Sequence, residues 1–278
     1  MTLLLIACTE SIEPDDSAQP LRPGPWVEVS ATMLGNCALR SDGTARCWGE
    51  NGEFDAPEGT FIDIAAGPRT SCAVTTAGGL TCWGDDLGEV PVGEFQQVAV
   101  SSLHACALTV NGEPHCWGDP ARTTPPEGRF TTISTGWSSS TCGVDEHGAI
   151  QCWGEATGLS DIPDAEWAAV DVGQRHACAL GLEGDVRCWG SNDEGQLDVP
   201  ELDWDGVAAG SYHTCGLVGG GALCWGAEGL TNFGQVPAVG AELVSLSAGG
   251  WHNCGVTPTG ELACWGDDHA GQSTPPSE

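Results

Sequence analysis

The sequence predicts an all-β repeat protein whose units stack radially, and three observations predict it. The tripeptide Cys-Trp-Gly occurs seven times, starting at Cys47, Cys82, Cys116, Cys152, Cys188, Cys224 and Cys264, at intervals of 35, 34, 36, 36, 36 and 40 residues. A fixed period of this size marks a repeat architecture. Each tripeptide has a second cysteine upstream, at Cys37, Cys72, Cys106, Cys142, Cys178, Cys215 and Cys254, ten residues earlier except in the sixth unit, where the separation is nine. The 278 residues include 41 Gly, 17 Pro and 12 Trp but only 2 Met and 1 Tyr, the composition of a turn-rich, cross-linked chain rather than a helical one.

Each unit opens on a short strand. Eleven residues before the first cysteine, twelve in the fourth unit, stands a large apolar residue: Trp26, Phe61, Phe95, Phe130, Trp167, Trp204 or Leu243. Three further on come Val29, Ile64, Val98, Ile133, Val170, Val207 and Leu246, and then a small residue, most often Gly, that closes the strand with a tight turn. The first cysteine opens a second strand, Cys-Ala-Leu in its commonest form, on which the cysteine and the residue two later share a face.

A hairpin turn such as Ser41-Asp42-Gly43 follows. Ten residues between the cysteines centre the pairing on a residue, which suits a three-residue turn with a left-handed Gly. The two cysteines then oppose each other on antiparallel strands with alpha carbons about 4.5–5.5 Å apart, so all seven pairs are expected to be disulfides within their units. The sixth pair, Cys215 and Cys224, needs an even-numbered turn, and Val218-Gly219-Gly220-Gly221 supplies one. The Trp after each second cysteine points to the opposite face. A sheet with cystine on one side and indole on the other must be covered on both, which is the burial a propeller provides.

Residues 1–25 stand outside the repeats. Met1 to Cys8 ends in Leu-Ile-Ala-Cys, which resembles the lipobox of bacterial lipoproteins. The expectation is a truncated lipoprotein signal with Cys8 as the lipidated residue, followed at 9–25 by a disordered tether rich in acids and Pro. The implied location is outside the cytoplasm, lipid-anchored in a bacterial cell envelope. Charge narrows the partners. There are 39 acidic residues against 8 basic ones, all Arg, and the net charge is −31. Counterion release by clustered Lys and Arg is therefore excluded as a basis for binding nucleic acid or an anionic membrane.

Units of the form apolar-x-x-Val-x-x-Gly-x-x-His-x-Cys-Ala-Leu, with Cys-Trp-Gly and a trailing Gly-Gln, resemble the repeats of the regulator of chromosome condensation family in its short, cysteine-bearing, exported form. The His position is filled by His104, His176, His213 and His252, and the trailing motif is Gly195-Gln196, Gly234-Gln235 and Gly271-Gln272. Gly35, Thr70 and Ser140 replace the His in other units. The resemblance implies a seven-bladed β-propeller of short three- to four-stranded blades over residues 26–278. Some members of that family bind and inhibit β-lactamases.

No catalytic motif is present: there is no Gly-x-Ser-x-Gly elbow, phosphate-binding loop or His-Glu-x-x-His. The four His are expected to hydrogen-bond a loop backbone within each blade, with a metal in the channel as the alternative. Acids after Cys-Trp-Gly, among them Glu50, Glu53, Asp55, Asp85, Asp86, Glu89, Asp193, Glu194, Asp198, Asp267 and Asp268, should form a rim that serves solubility, with calcium as the alternative.

One loop position that the core does not specify holds Leu34, Arg69, Leu103, Trp137, Arg175, Tyr212 and Trp251. These should ring one face near the channel mouth, and Trp, Tyr and Arg are enriched at binding hot spots. The competing reading is that Trp137, Tyr212 and Trp251 fold over the channel as a plug. Together the features describe a monomeric, tethered binding module without catalytic residues or cofactor, recognising an extracytoplasmic protein or glycan. The alternatives are a propeller enzyme, a lyase or hydrolase with a site at the channel mouth, and the nucleotide exchange or chromatin binding of the family's namesake.

Overall fold

The computed structural model describes residues 24–277 apart from 51–54, 138–139, 156–157, 228–230 and 237–239. The expected lipobox at Cys8, the tether up to residue 23 and Glu53 lie outside the described residues. Seven antiparallel sheets of three strands each form the chain, at 26–49, 61–84, 95–118, 130–154, 167–190, 206–226 and 245–266. Blades of three strands are therefore the rule. In the first blade β1 (Trp26–Ala31) is innermost, β2 (Gly35–Arg40) lies in the middle and β3 (Ala45–Gly49) is outermost.

The hairpins follow the spacing. Arg40 N–H donates to the Thr44 carbonyl across the three-residue turn, and Gly43 takes φ +85°, a conformation that Gly adopts without a Cβ penalty. In the sixth blade Val218 pairs with Gly221, leaving the two-residue turn Gly219-Gly220 with both φ positive. All seven cysteine pairs are in register and disulfide-bonded. Their alpha carbons are 4.0–4.1 Å apart, closer than expected. Counting back from the hydrogen-bonded pair Arg40 and Thr44 puts Cys37 and Cys47 at a non-hydrogen-bonded position, where strands already approach most closely, and the bridge draws them nearer.

The core is not inside the blades but between them. Cystine and Leu39 of the first blade pack on Phe61, Ile64, Ala73 and Trp83 of the second. Trp26, Val29 and Trp48 of the first pack on the cystine of the seventh and on Val256. Five further clusters occupy the other five joints. Each joint thus buries one blade's cystine face against the next blade's indole face. Every first cysteine has no exposed surface. Burying a large apolar side chain is worth about 1.5–3 kcal/mol, so no blade is stable alone and the ring is the unit of stability.

Candidate functional site: the loop face and the channel

The central channel, about 360 Å³, is lined by the innermost strands. On six of the seven such strands, all but Gly206–Ala209 of the sixth blade, a polar side chain reaches sideways to the next blade. Ala66 N–H donates to Ser30 Oγ at 3.0 Å, Val98 N–H to Asp63 Oδ2 at 2.7 Å, Ile133 N–H to Gln97 Oε1 at 3.1 Å and Val172 N–H to Ser134 Oγ at 3.1 Å. Ala209 N–H donates to Asp171 Oδ2 at 2.7 Å, and Ala31 N–H to Ser247 Oγ at 2.9 Å. Three-stranded blades leave the inner edge of each sheet unpaired, and this girdle satisfies a donor on six of those edges.

The girdle places carboxyl groups in a poorly solvated channel. Burial, with the neighbouring Asp63 adding to it, pushes the Glu28 carboxyl up to about 8, and burial pushes Asp63 up to about 6. Asp171 is raised for the same reason, its hydrogen bonds opposing the shift. No histidine lines this channel among the described residues, so its acids do not meet a His there.

The four His lie elsewhere and correct the expectation placed on them. All are fully buried, and they bond side chains of the following blade rather than a loop backbone within their own. His104 Nε2 meets Thr141 Oγ1 at 2.6 Å and His176 Nε2 meets Thr214 Oγ1 at 2.9 Å. His213 Nε2 meets Asn253 Oδ1 at 2.7 Å and His252 Nε2 meets Asn36 Oδ1 at 2.8 Å.

In the last three joints the relay runs on. Thr214 Oγ1, Asn253 Nδ2 and Asn36 Nδ2 donate to the carbonyls of Gln196, Gln235 and Gln272, at 2.9, 3.2 and 2.8 Å. Trp225, Trp265 and Trp48 Nε1 donate to the same three carbonyls. Since Thr214 and the Asn oxygens accept, these His carry their proton on Nε2. Desolvation drives His176 and His252 down to about 3 and His104 and His213 down to about 4, so they are neutral wherever the protein is folded near neutrality. Among the described residues, no group of three or more metal-ligating side chains occurs.

The loop position singled out in the sequence is built by one recurring bond. The carbonyls of Leu34, Arg69, Leu103, Arg175, Tyr212 and Trp251 each accept the N–H of the residue just after Cys-Trp-Gly in their own blade. The loop face therefore sets these residues directly beside the acidic trailing segments. Arg69 pairs with Asp85 at 2.7 Å, Arg175 lies 3.9 Å from Asp193, and Arg122, which the sequence did not single out, pairs with Asp119 and Glu155.

The aromatic members divide. Trp137 lines the channel, and its tip lies 3.1 Å from where a Cβ on Gly250 would sit, so its indole spans the mouth from the fourth blade to the seventh. Its carbonyl accepts from Ser102 Oγ at 3.0 Å. Tyr212 and Trp251 do not line the channel. Their rings stack at 6.4 Å between centroids, and Phe233 meets Trp251 edge-on at 6.2 Å. Phe233 is 53% exposed. Leu34 is half-buried, and Leu103 and the two Arg of the column are exposed. Phe233 escaped the sequence reading because it lies in a trailing segment; the signal was the 40-residue interval that follows the sixth Cys-Trp-Gly, the longest of the six.

With this geometry in hand, the relatives are informative. Residues 61–87, 167–196 and 243–272 match the family model described as Regulator of chromosome condensation (RCC1) repeat. No curated protein matches the chain significantly. Among solved structures, the entire ectodomain of the Physcomitrella patens receptor kinase CR4 is similar with 25% identity and a TM-score of 0.73, over 88% of this chain and 74% of that one. The CRINKLY WD40 ectodomain of the Arabidopsis thaliana receptor kinase ACR4 is similar with 22% identity and a TM-score of 0.74, over 90% and 98%. Prp20p from Saccharomyces cerevisiae is similar with 16% identity and a TM-score of 0.54, over 91% and 74%. The chain thus folds as a propeller of seven blades, and three of its repeats match the RCC1 repeat model.

Proposed function

We propose that this propeller is a non-catalytic binding module that recognises a protein or glycan through its loop face, centred on Tyr212, Trp251 and Phe233. The observation that carries this reading is the stacked aromatic cluster itself. The core aromatic rings of all seven joints lie between blades, whereas this cluster takes part in no interblade core and, unlike Trp137, does not line the channel. Amphipathic rings held rigidly at a surface are the residues that dominate binding energy elsewhere.

Seven disulfides suit an oxidising compartment outside the cytosol, and the similar CR4 chain is a receptor ectodomain. The Leu-Ile-Ala-Cys run at Cys8 supports lipid anchoring to a cell envelope, with residues 9–25 setting the reach. No catalytic step is assigned, because the buried His are spent on relays between blades and the channel acids on capping the girdle.

The test is affinity capture with residues 26–278 as bait, run in parallel with Trp251→Ala. A partner held by the natural protein and lost by the variant supports the reading. A partner held equally by both places recognition elsewhere.

A further inference from the structure

The aromatic cluster sits in an unusual electrostatic setting. The chain contains no Lys, and the three Arg of the loop face described above, Arg69, Arg122 and Arg175, each already face a carboxylate. Acids flank the cluster on two sides. Glu194 accepts the Thr231 hydroxyl at 2.9 Å, two residues before Phe233, and next to it Asp193 is exposed. On the other side Asp267 donates its N–H to the Trp251 carbonyl at 2.8 Å, and exposed Asp268 follows. The half-buried Tyr212 and Trp251 and the exposed Phe233 thus stand between acids on both flanks, and among the described residues the Arg side chains of this face are already paired.

Resting on the loop-face reading above, we propose that the occupant of the Tyr212–Trp251–Phe233 cluster is a protein segment bearing Arg or Lys, whose cationic side chain lies against these rings while Asp193, Glu194 and Asp268 face its charge. A cation over Trp or Tyr gains from the ring quadrupole, and more so as water is excluded. Surrounding acids speed encounter and reject anionic partners. A neutral glycan would use the rings but draw nothing from the acids, and an anionic one would be repelled.

The experiment follows the indole N–H signal of Trp251 by NMR, identified by its absence in Trp251→Ala. Three probes are titrated: a nine-residue Gly-Ser peptide with two Arg, the same peptide with citrulline in place of Arg, and chitohexaose. The Arg peptide is expected to shift the signal with at least tenfold higher affinity than the citrulline peptide. That affinity should fall severalfold between 50 and 250 mM NaCl.

Asp193→Asn with Glu194→Gln should weaken it about threefold. Glu94→Gln with Glu113→Gln, at the hairpin ends on the opposite face, should leave it unchanged. Equal binding of the citrulline peptide overturns the proposal, as does an equal loss from the far-face pair, which would mark diffuse attraction to an acidic protein. If chitohexaose alone moves the signal, the cationic occupant is wrong while the loop-face reading survives. If no probe moves it at millimolar concentration, the proposal fails, and the capture experiment decides the broader reading by itself.

Discussion

The backbone N–H of Trp26 donates to the carbonyl of Gly260 at 2.9 Å, and this is the seventh copy of one bond. In the other six joints Phe61, Phe95, Phe130, Trp167, Trp204 and Leu243 donate to Gly43, Gly78, Gly112, Gly148, Gly184 and Gly220. The first and last blades therefore meet as any two neighbours do, without an exchanged strand. What the seam has in place of chain continuity is the relay from His252 through Asn36 to Gln272, beside the bond from Trp48.

That dependence yields the first prediction. Asn36→Ala orphans the buried His252 Nε2 and leaves the Gln272 carbonyl with Trp48 Nε1 as its donor, and an orphaned buried group costs about 1–3 kcal/mol. We expect a loss of about 1–3 kcal/mol in denaturant unfolding. A loss under about 0.5 kcal/mol, the range of an ordinary surface change, would show that the seam holds without the relay.

The fold was legible because its determinants are local. A ten-residue cysteine spacing, one Gly per hairpin and a Trp beside each second cysteine fix register and faces within a single unit. The His roles were not, because His213 and Asn253 are 40 residues apart and meet only once blades stack. The same holds for Asp63, whose partner is the backbone of Val98. Of the loop column, the sequence showed that Trp137 and Trp251 lay outside the repeat core but not that their roles differ. Trp137 reaches Gly250, three blades away round the ring, and no pattern within a unit encodes that contact.

The second prediction concerns the cysteines. Intact mass of residues 26–278 after alkylation without reduction should show no modified cysteine. Each bridge closes a short loop worth up to about 2–3 kcal/mol in the chain-entropy account, so reduction should lower the melting temperature steeply. Alkylation of several cysteines in the unreduced protein would refute the pairing.

The third prediction is a stability optimum in pH. The four relay His have folded values near 3 or 4, below the ordinary 6.5. The unfolded chain thus binds more protons between those limits, and the His contribution is lost as pH falls from about 6.5 toward 3. Glu28 acts in the opposite sense. Its value near 8 exceeds its unfolded 4.5, so its contribution is present at low pH and fades as pH rises through 8, with Asp63 behaving likewise up to about 6. Stability should peak near pH 6–7. Glu28→Gln keeps an acceptor for the Ile64 N–H and removes the titration, so it should flatten the alkaline limb and leave the acid limb in place. An unchanged alkaline limb would remove Glu28 from the account.

The fourth prediction separates plug from patch. Trp137 spans the channel mouth against Gly250, so Trp137→Ala removes packing between distant blades and should cost about 1–3 kcal/mol of stability with little effect on a partner bound at the cluster. Tyr212 stacks on Trp251, which Phe233 meets edge-on. Replacing either by Ala should leave the melting temperature nearly unchanged and weaken partner binding by about 1–3 kcal/mol. Stacked rings that act as one surface should also be non-additive, the double variant losing less than the two single losses combined. The discriminating measurement is melting and binding on the same three proteins. If Trp251→Ala melts early and binds normally, the cluster is packing like Trp137, and the acidic rim becomes the place where recognition must be sought.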